Sequence, residues 1–253
     1  MKEGCRMNKI FNEIDQLQNK FDQKRPLPKE TLDSIREDLI MKWTYHSNSI
    51  EGNTLTLSET KVILEDGITI GGRSMREHLE AINHKEAILF LEEIIQKKES
   101  ISERTIKDIH SIILRGIDKQ NAGAYCAGQV LISGAEHIPP NAVHISGQMY
   151  DLINWYENAA QSLHPVERAA VLHSRFVKIH PFTDGNGRTA RLLLNLELMM
   201  SGYVPIVIKN NQRAEYYQAL DHAHTENDNA DFILFVGGIL KDTLTFYLNF
   251  LDE

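Results

Sequence analysis

The stretch that most limits what this chain can become is His180 to Arg191, H-P-F-T-D-G-N-G-R-T-A-R. Gly185 and Gly187 free the backbone to turn its N–H groups inward as a small anion-binding nest. The apolar run after Arg188 reads as a helix, so the nest lies at a helix N-terminus, where the dipole favours phosphate. Asp184, just ahead of the nest, suits a Mg²⁺ that bridges phosphate oxygens. Arg188 and Arg191 stand three apart on one helical face and offer forked donors to further oxygens. His180 is the group in this stretch whose ordinary pKa lets it take a proton near neutrality. Phe182, apolar within a polar loop, is predicted to anchor that loop in the core. The combination predicts a polyphosphate site with a base beside it.

Around this stretch the chain reads as mostly helical. A weak helical pattern over Met1 to Gln23 (Ile10, Ile14, Leu17, Phe21) is broken by R-P-L-P at Arg25 to Pro28. Leu32, Ile35, Leu39 and Trp43 then space out a helix that runs towards Ile50 and stops at Gly52. Three capping boxes are predicted: Thr56 with Glu59, Ser74 with Glu77, and Ser100 with Glu103. The first opens a short helix closed by Gly67, the second a long helix, and the third a helix ending near Gly116. Gln129 to Ile132, the turn signal Ser133-Gly134 and His137-Ile138 before Pro139-Pro140 predict a small β-hairpin. Helices resume over Ser146 to Ser162, Pro165 to Lys178, Arg188 to about Ser201, Asn211 to Ala223 and Ala230 to Leu251. The predicted fold is mostly α, about nine helices and one hairpin, without repeats or low-complexity linkers.

The 180–191 stretch resembles the signature of the Fic domain family, H-x-F-x-D/E-G-N-G-R-x-x-R. His180, Phe182, Asp184, Gly185, Asn186, Gly187, Arg188 and Arg191 fill every fixed position. A chance match is on the order of one in 10¹⁰ per starting point. The likeness extends to roughly residues 29 to 236. Ser47 to Glu59 and Asn83 to Ile88 resemble the N-terminal helical extension found in many Fic proteins. Gly123 to Tyr125 is similar to the family's G-x-Y-R, with Cys126 where an arginine is usual. The resemblance implies a multi-helix Fic-like core over 101–253, a hairpin serving as target-docking flap, and a helical extension over 1–100. Relatives of this length often carry a C-terminal winged helix; the chain ends too soon for one, so no DNA-binding module is expected.

What the resemblance implies chemically is transfer of AMP from ATP to a serine, threonine or tyrosine hydroxyl of an unidentified protein target. His180 would take the hydroxyl proton as it attacks the α-phosphorus. Asp184 would hold Mg²⁺, while Asn186 and the amides of Gly185 and Gly187 would fix the α-phosphate. Arg188 would bind the pyrophosphate end, and Arg191 the γ-phosphate. The family's adenine-contacting asparagine is replaced by His224 here, leaving Tyr217 as a neighbour for the base. Ser47 to Gly52, S-N-S-I-E-G, matches the family's inhibitory pattern S/T-x-x-x-E-G/N. Glu51, with Ser47 one turn back, is expected to pair with Arg191 and restrain the enzyme. The same carboxylate can orient a water, which gives removal of AMP from modified protein as an alternative activity. Relatives also move phosphate, UMP or phosphocholine, and many self-associate, so a homodimer is a further expectation. From another class, a non-catalytic nucleotide-binding module is disfavoured by the intact His180, Asp184 and Arg188.

Composition narrows the partners. A net charge of −8 argues against nonspecific nucleic-acid binding as the main task. Cys5 and Cys126 have neither metal-ligand spacing nor a disulfide framework, and the start has no secretory pattern, so a reducing cytoplasm is expected. No apolar run approaches the ~18 residues of a membrane span. His173 is expected to be buried or capping rather than a ligand. His222 and His224, two apart on a helix, do not face one another and are not expected to share a metal. A two-metal hydrolase lacks its further His/Asp ligands.

Overall fold

The computed structural model describes residues 2–128 and 137–252. Ten α-helices account for the regular structure there: α1 (Lys2–Asp22), α2 (Lys29–Ile50), α3 (Leu57–Asp66), α4 (Met75–Lys97), α5 (Glu103–Ile113), α6 (Ala142–Glu157), α7 (Pro165–Ile179), α8 (Asn186–Met200), α9 (Arg213–Thr225) and α10 (Ala230–Asp252). Short 3-10 turns follow α6 (Ala159–Ser162) and precede α9 (Asn210–Gln212).

The local signals work as side-chain chemistry. Thr56 and Ser74 each accept the amide of a glutamate three residues on, and Glu59 and Glu77 return a carboxylate to the cap's own N–H. Gly67 closes α3 in the left-handed region at φ 66°, where a Cβ would be strained. The third box lies two residues later than expected, with Ser102 capping Thr105. Ile101 decides this. It and Ile106 are both fully buried, a hydrophobic staple across the helix start, which a cap at Ser100 would have pulled into the helix. Helix α6 begins at Ala142 rather than Ser146, because Asn141 accepts the Val143 amide directly after Pro139-Pro140.

The expected β-hairpin is corrected. Among the described residues there is no strand, and His137 to Pro140 run as irregular chain. Two adjacent prolines lack the N–H groups a ladder needs, and the His137 ring is spent on the Lys178 carbonyl at 2.9 Å. Gln129 to Gly134, where the rest of the hairpin was expected, lie outside the described residues.

Helix α8 is the axis of the molecule: 12 of its 15 residues are buried, on every side. One face joins Leu194 and Leu198 to a core with Phe11 and Ile14 of α1, Leu220 of α9 and Phe232 and Val236 of α10. The other joins Leu192, Leu193 and Leu196 to Trp43 of α2, Ile88 and Leu91 of α4, Ile109 of α5 and Phe176 of α7. A helix buried on every side belongs in a core, and the six residues between α7 and α8, His180 to Gly185, are thereby held at its mouth. Helix α1 packs on α10, while α2 and α4 lie against α8. No described helix is long and apolar enough to cross a membrane.

Candidate active site

His180 caps α7 in the left-handed region at φ 50°, an uncommon place for a side chain with a Cβ. Gly185 caps α8 at φ 78°. Between these two left-handed turns the chain reverses within a few residues. Asn186 braces the reversal: its Nδ2 donates to the Phe182 carbonyl at 2.6 Å and its Oδ1 accepts the Phe182 amide at 3.0 Å. The Asn186 side chain is therefore buried and committed to the loop, both of its polar atoms spent on the Phe182 backbone. Phe182 is fully buried, stacked 3.6 Å from the His110 ring of α5. His110 completes the brace, with Nδ1 accepting the Gly123 amide at 3.0 Å and Nε2 2.8 Å from the Asp184 carbonyl. Those partners fix the neutral tautomer with its proton on Nε2, and burial holds its pKa down to about 4.

His180 is half-buried. Burial pushes its pKa below the ordinary 6.5, against the nearby Glu51 carboxylate and the Val177 carbonyl, which favour the charged form. The imidazole is neutral at pH 7, as a base must be.

Asp184 sits where the loop meets α8. Its Oδ1 accepts from the Gly185 amide at 2.6 Å and Arg188 Nη2 at 3.1 Å, and its Oδ2 from Arg76 Nη2 at 2.5 Å. Burial alone would raise its pKa, but Arg188, the Gly185 amide and Arg76 outweigh that and keep the carboxyl below its ordinary value. No group of three or more metal-type side chains stands together among the described residues. A single partly exposed carboxylate fits Mg²⁺, which keeps waters and takes phosphate oxygens for its other positions. It does not fit a metal held wholly by protein.

The two arginines of α8 diverge. Arg188, 2% exposed, faces Asp184 and has Nη1 3.5 Å from Glu80 of α4, and its Nε and Nη1 lack hydrogen-bond partners. Arg191, equally buried, donates through Nε to Ser47 Oγ at 3.0 Å and through Nη2 to the Ser47 carbonyl at 2.8 Å and Glu51 Oε1 at 2.7 Å. Glu51, one residue beyond α2, also lies over Gly187: a Cβ there would be 2.2 Å from Glu51 Oε1. A carboxylate thus stands on the first turn of α8, where the helix favours an anion. The end of α2 is pinned there by Arg213, whose Nε donates to the Ile50 carbonyl at 2.9 Å.

Tyr217 is part-exposed, with the Arg213 guanidinium 4.9 Å from its ring centre. Its neighbour Tyr216 points inward, its hydroxyl between His173 Nε2 at 3.0 Å and Arg191 Nη1 at 3.4 Å. His173 is fully buried. His224 Nε2 is 3.0 Å from the Ser174 carbonyl, and His222 pairs with Asp231, so the two histidines look different ways. Arg76, Glu80, His110 and Tyr216 are site neighbours that the sequence reading did not single out. For His110 a signal existed: a polar residue on the apolar face Ile106, Ile109, Ile113.

The sequence model of the Fic/DOC family matches residues 100–198. A protein adenylyltransferase Fic of Nematostella vectensis is 38% identical over 239 residues, covering 93% of this chain and 55% of that protein. The chain spans about half the length of the curated relatives it matches. Among solved structures, residues 134–508 of Fic-1 from C. elegans superpose with TM-score 0.88 at 34% identity, over 97% of this chain and 73% of that one. A Fic domain containing signaling protein from Bacteroides thetaiotaomicron gives 0.84 at 33%, over 92% and 94%.

Proposed function

This chain belongs to the Fic/DOC family, and on that premise we propose that it is a protein adenylyltransferase. The reaction moves AMP from ATP to a serine, threonine or tyrosine hydroxyl of a protein target and releases pyrophosphate. The observation that carries the reading is the Glu51 carboxylate seated against Gly187 and Arg191, an anion resting where a phosphate would lie, with a neutral imidazole nearby.

His180 takes the proton of the target hydroxyl while its oxygen bonds to the α-phosphorus and the bond to the pyrophosphate oxygen breaks. The amides at the start of α8 hold the α-phosphate, and Arg191, once free of Glu51, holds the γ end. Arg188 faces the pyrophosphate side through Asp184. Asp184 would hold Mg²⁺, which offsets phosphate charge when bound. Tyr217, beside Arg213, is the wall proposed for adenine. In this reading Ser47 and Glu51 are inhibitory residues of a regulatory extension over 1–100. A protein target, a cytoplasmic setting and self-association belong to the same proposal. Mass spectrometry of the purified protein after incubation with ATP and Mg²⁺ tests it: a gain of ~329 Da, one AMP per hydroxyl, is expected. A γ-phosphate adduct instead would refute it.

A second reading has one observation behind it. Glu51 lies over Gly187, just past the end of the loop that His180 begins, so the pair can prepare a water to remove AMP from a modified protein. Hydrolysis of pre-adenylylated target that disappears in Glu51→Gly would support removal.

A further inference from the structure

One carboxylate oxygen of Asp184 carries a cation from outside the signature loop. Oδ1 is shared by the Gly185 amide and Arg188. Oδ2 accepts Arg76 Nη2 at 2.5 Å across 108 residues of sequence. Arg76 lies on the first turn of α4, in the extension, and its Nε donates to Glu80 Oε1 at 3.0 Å. Glu80 in turn faces Arg188 at 3.5 Å and accepts Asn53 Nδ2 at 2.9 Å. Arg76, Glu80, Arg188 and Asp184 form a closed ring of alternating charge.

We propose that Arg76 is a positioning residue that acts as a resident cation on Asp184, holding the carboxylate in place and yielding it only when a divalent metal arrives with nucleotide. The inference rests on the reading of Asp184 as the metal carboxylate. A divalent metal on Asp184 and a guanidinium on the same carboxylate would repel, so the two compete for it. Arg76 can leave: its side chain is 57% exposed, against 2% for Arg188, and Glu80 gives it a second anchor on its own helix. The extension therefore meets the site at two ends, Glu51 at the phosphate end and Arg76 at the metal end.

The test is calorimetry with α,β-methylene ATP, whose α–β linkage does not transfer, in a Glu51→Gly background. Affinity is measured with and without Mg²⁺ for the parent, Arg76→Ala, Arg76→Lys and Asp184→Ala. With Mg²⁺, Arg76→Ala should bind about five-fold tighter, the scale of an exposed ion pair released, and without Mg²⁺ it should match the parent. Arg76→Lys, which keeps the charge, should stay near the parent in both. Asp184→Ala should abolish the Mg²⁺ effect. If Asp184→Ala abolishes it while Arg76→Ala leaves it untouched or weakens binding, the role of Arg76 is refuted and the metal reading stands. A Mg²⁺ effect undiminished in Asp184→Ala overturns the metal reading itself. Unfolding midpoints within about a degree for Arg76→Ala and parent would show that the change acts at the site, and a large drop would count against it.

Discussion

Replacing Glu51 with glycine removes the carboxylate set against Arg191, and its consequences follow from the contacts. The Arg191 guanidinium is 3% exposed, and burial would lower its pKa were Glu51 not holding the charge in place. Two bonds to Ser47 and the Tyr216 hydroxyl remain in the variant, so the guanidinium keeps its position and loses its counter-charge. A hydrogen bond to a charged group contributes about 1.5–3 kcal/mol, and a triphosphate reaching for Arg191 must break this one. Its removal should raise nucleotide affinity and AMP transfer by roughly 10- to 150-fold. The ligand-free variant should meanwhile lose about 1–3 kcal/mol, because a buried cation is left unpaired, which lowers its unfolding midpoint by several degrees. Bound ATP should restore that loss, so the rise in midpoint on adding Mg²⁺ and ATP should be larger in the variant than in the parent. Transfer is read with ATP labelled at the α-phosphate, and stability by scanning fluorimetry. A variant with a lowered midpoint, no increase in labelling and no larger ATP response would refute the reasoning, for Glu51 would then be only a structural partner of Arg191.

His180→Ala should cut AMP transfer by about 10²–10⁴ with nucleotide affinity little changed, read by single-turnover labelling and calorimetry. Because His180 has φ 50°, His180→Asn should give the same loss with less backbone strain. In the Glu51→Gly protein the transfer rate should be level between pH 7 and 8 and fall only below about 6.5, since burial lowers the His180 pKa; a rise between pH 7 and 8 assignable to this histidine would contradict it. Gly187→Ala in that same background should weaken nucleotide binding, because the added methyl lies 3.1 Å from Arg191 Nη1, on the phosphate side of α8; equal affinity by calorimetry would place the phosphates elsewhere. Burial holds His224 down to about 4 and lowers His84 and His173 as well. The unfolded chain takes up these protons near pH 6.5 while the folded one resists, so stability is full above that pH and drains away as it falls towards 4. His224 alone accounts for about 3 kcal/mol, and a urea midpoint unchanged from pH 7 to 5 would refute this.

What could be read from the sequence was what neighbours along the chain decide. Thr56 with Glu59 and Ser74 with Glu77 are bonds across three residues, and both formed as expected. Ser100 and Ser102 offer the same local chemistry, and burial of Ile101 against the core chose between them, which no local pattern records. Tyr216 and Tyr217 are adjacent on α9, so their sequence gives no hint that the first turns to Arg191 and the second to solvent. The signature showed which residues gather at the mouth of α8, but not how they divide. Asn186 is spent on Phe182, and Arg188 and Arg191 part company because different carboxylates, Glu80 and Glu51, draw them. Arg76 was invisible for the same reason: its partner lies 108 residues away.

These long-range contacts share one logic. The loop and α8 present a cationic end at Arg191 and an anionic one at Asp184. The end of α2 and the start of α4 answer each with its opposite, Glu51 on Arg191 and Arg76 on Asp184. A nucleotide with its metal has the same polarity, phosphate oxygens for the first and a divalent ion for the second. On the proposed reading, the site is satisfied in the structure by a charge imitation of that ligand, built from two side chains on separate helical segments. Metal-free nucleotide can take over only the Glu51 end and leaves Arg76 in place, whereas the metal complex can take over both. The proposed restraint would then discriminate between the two forms of the nucleotide, and removing either side chain should relax only the end that it covers.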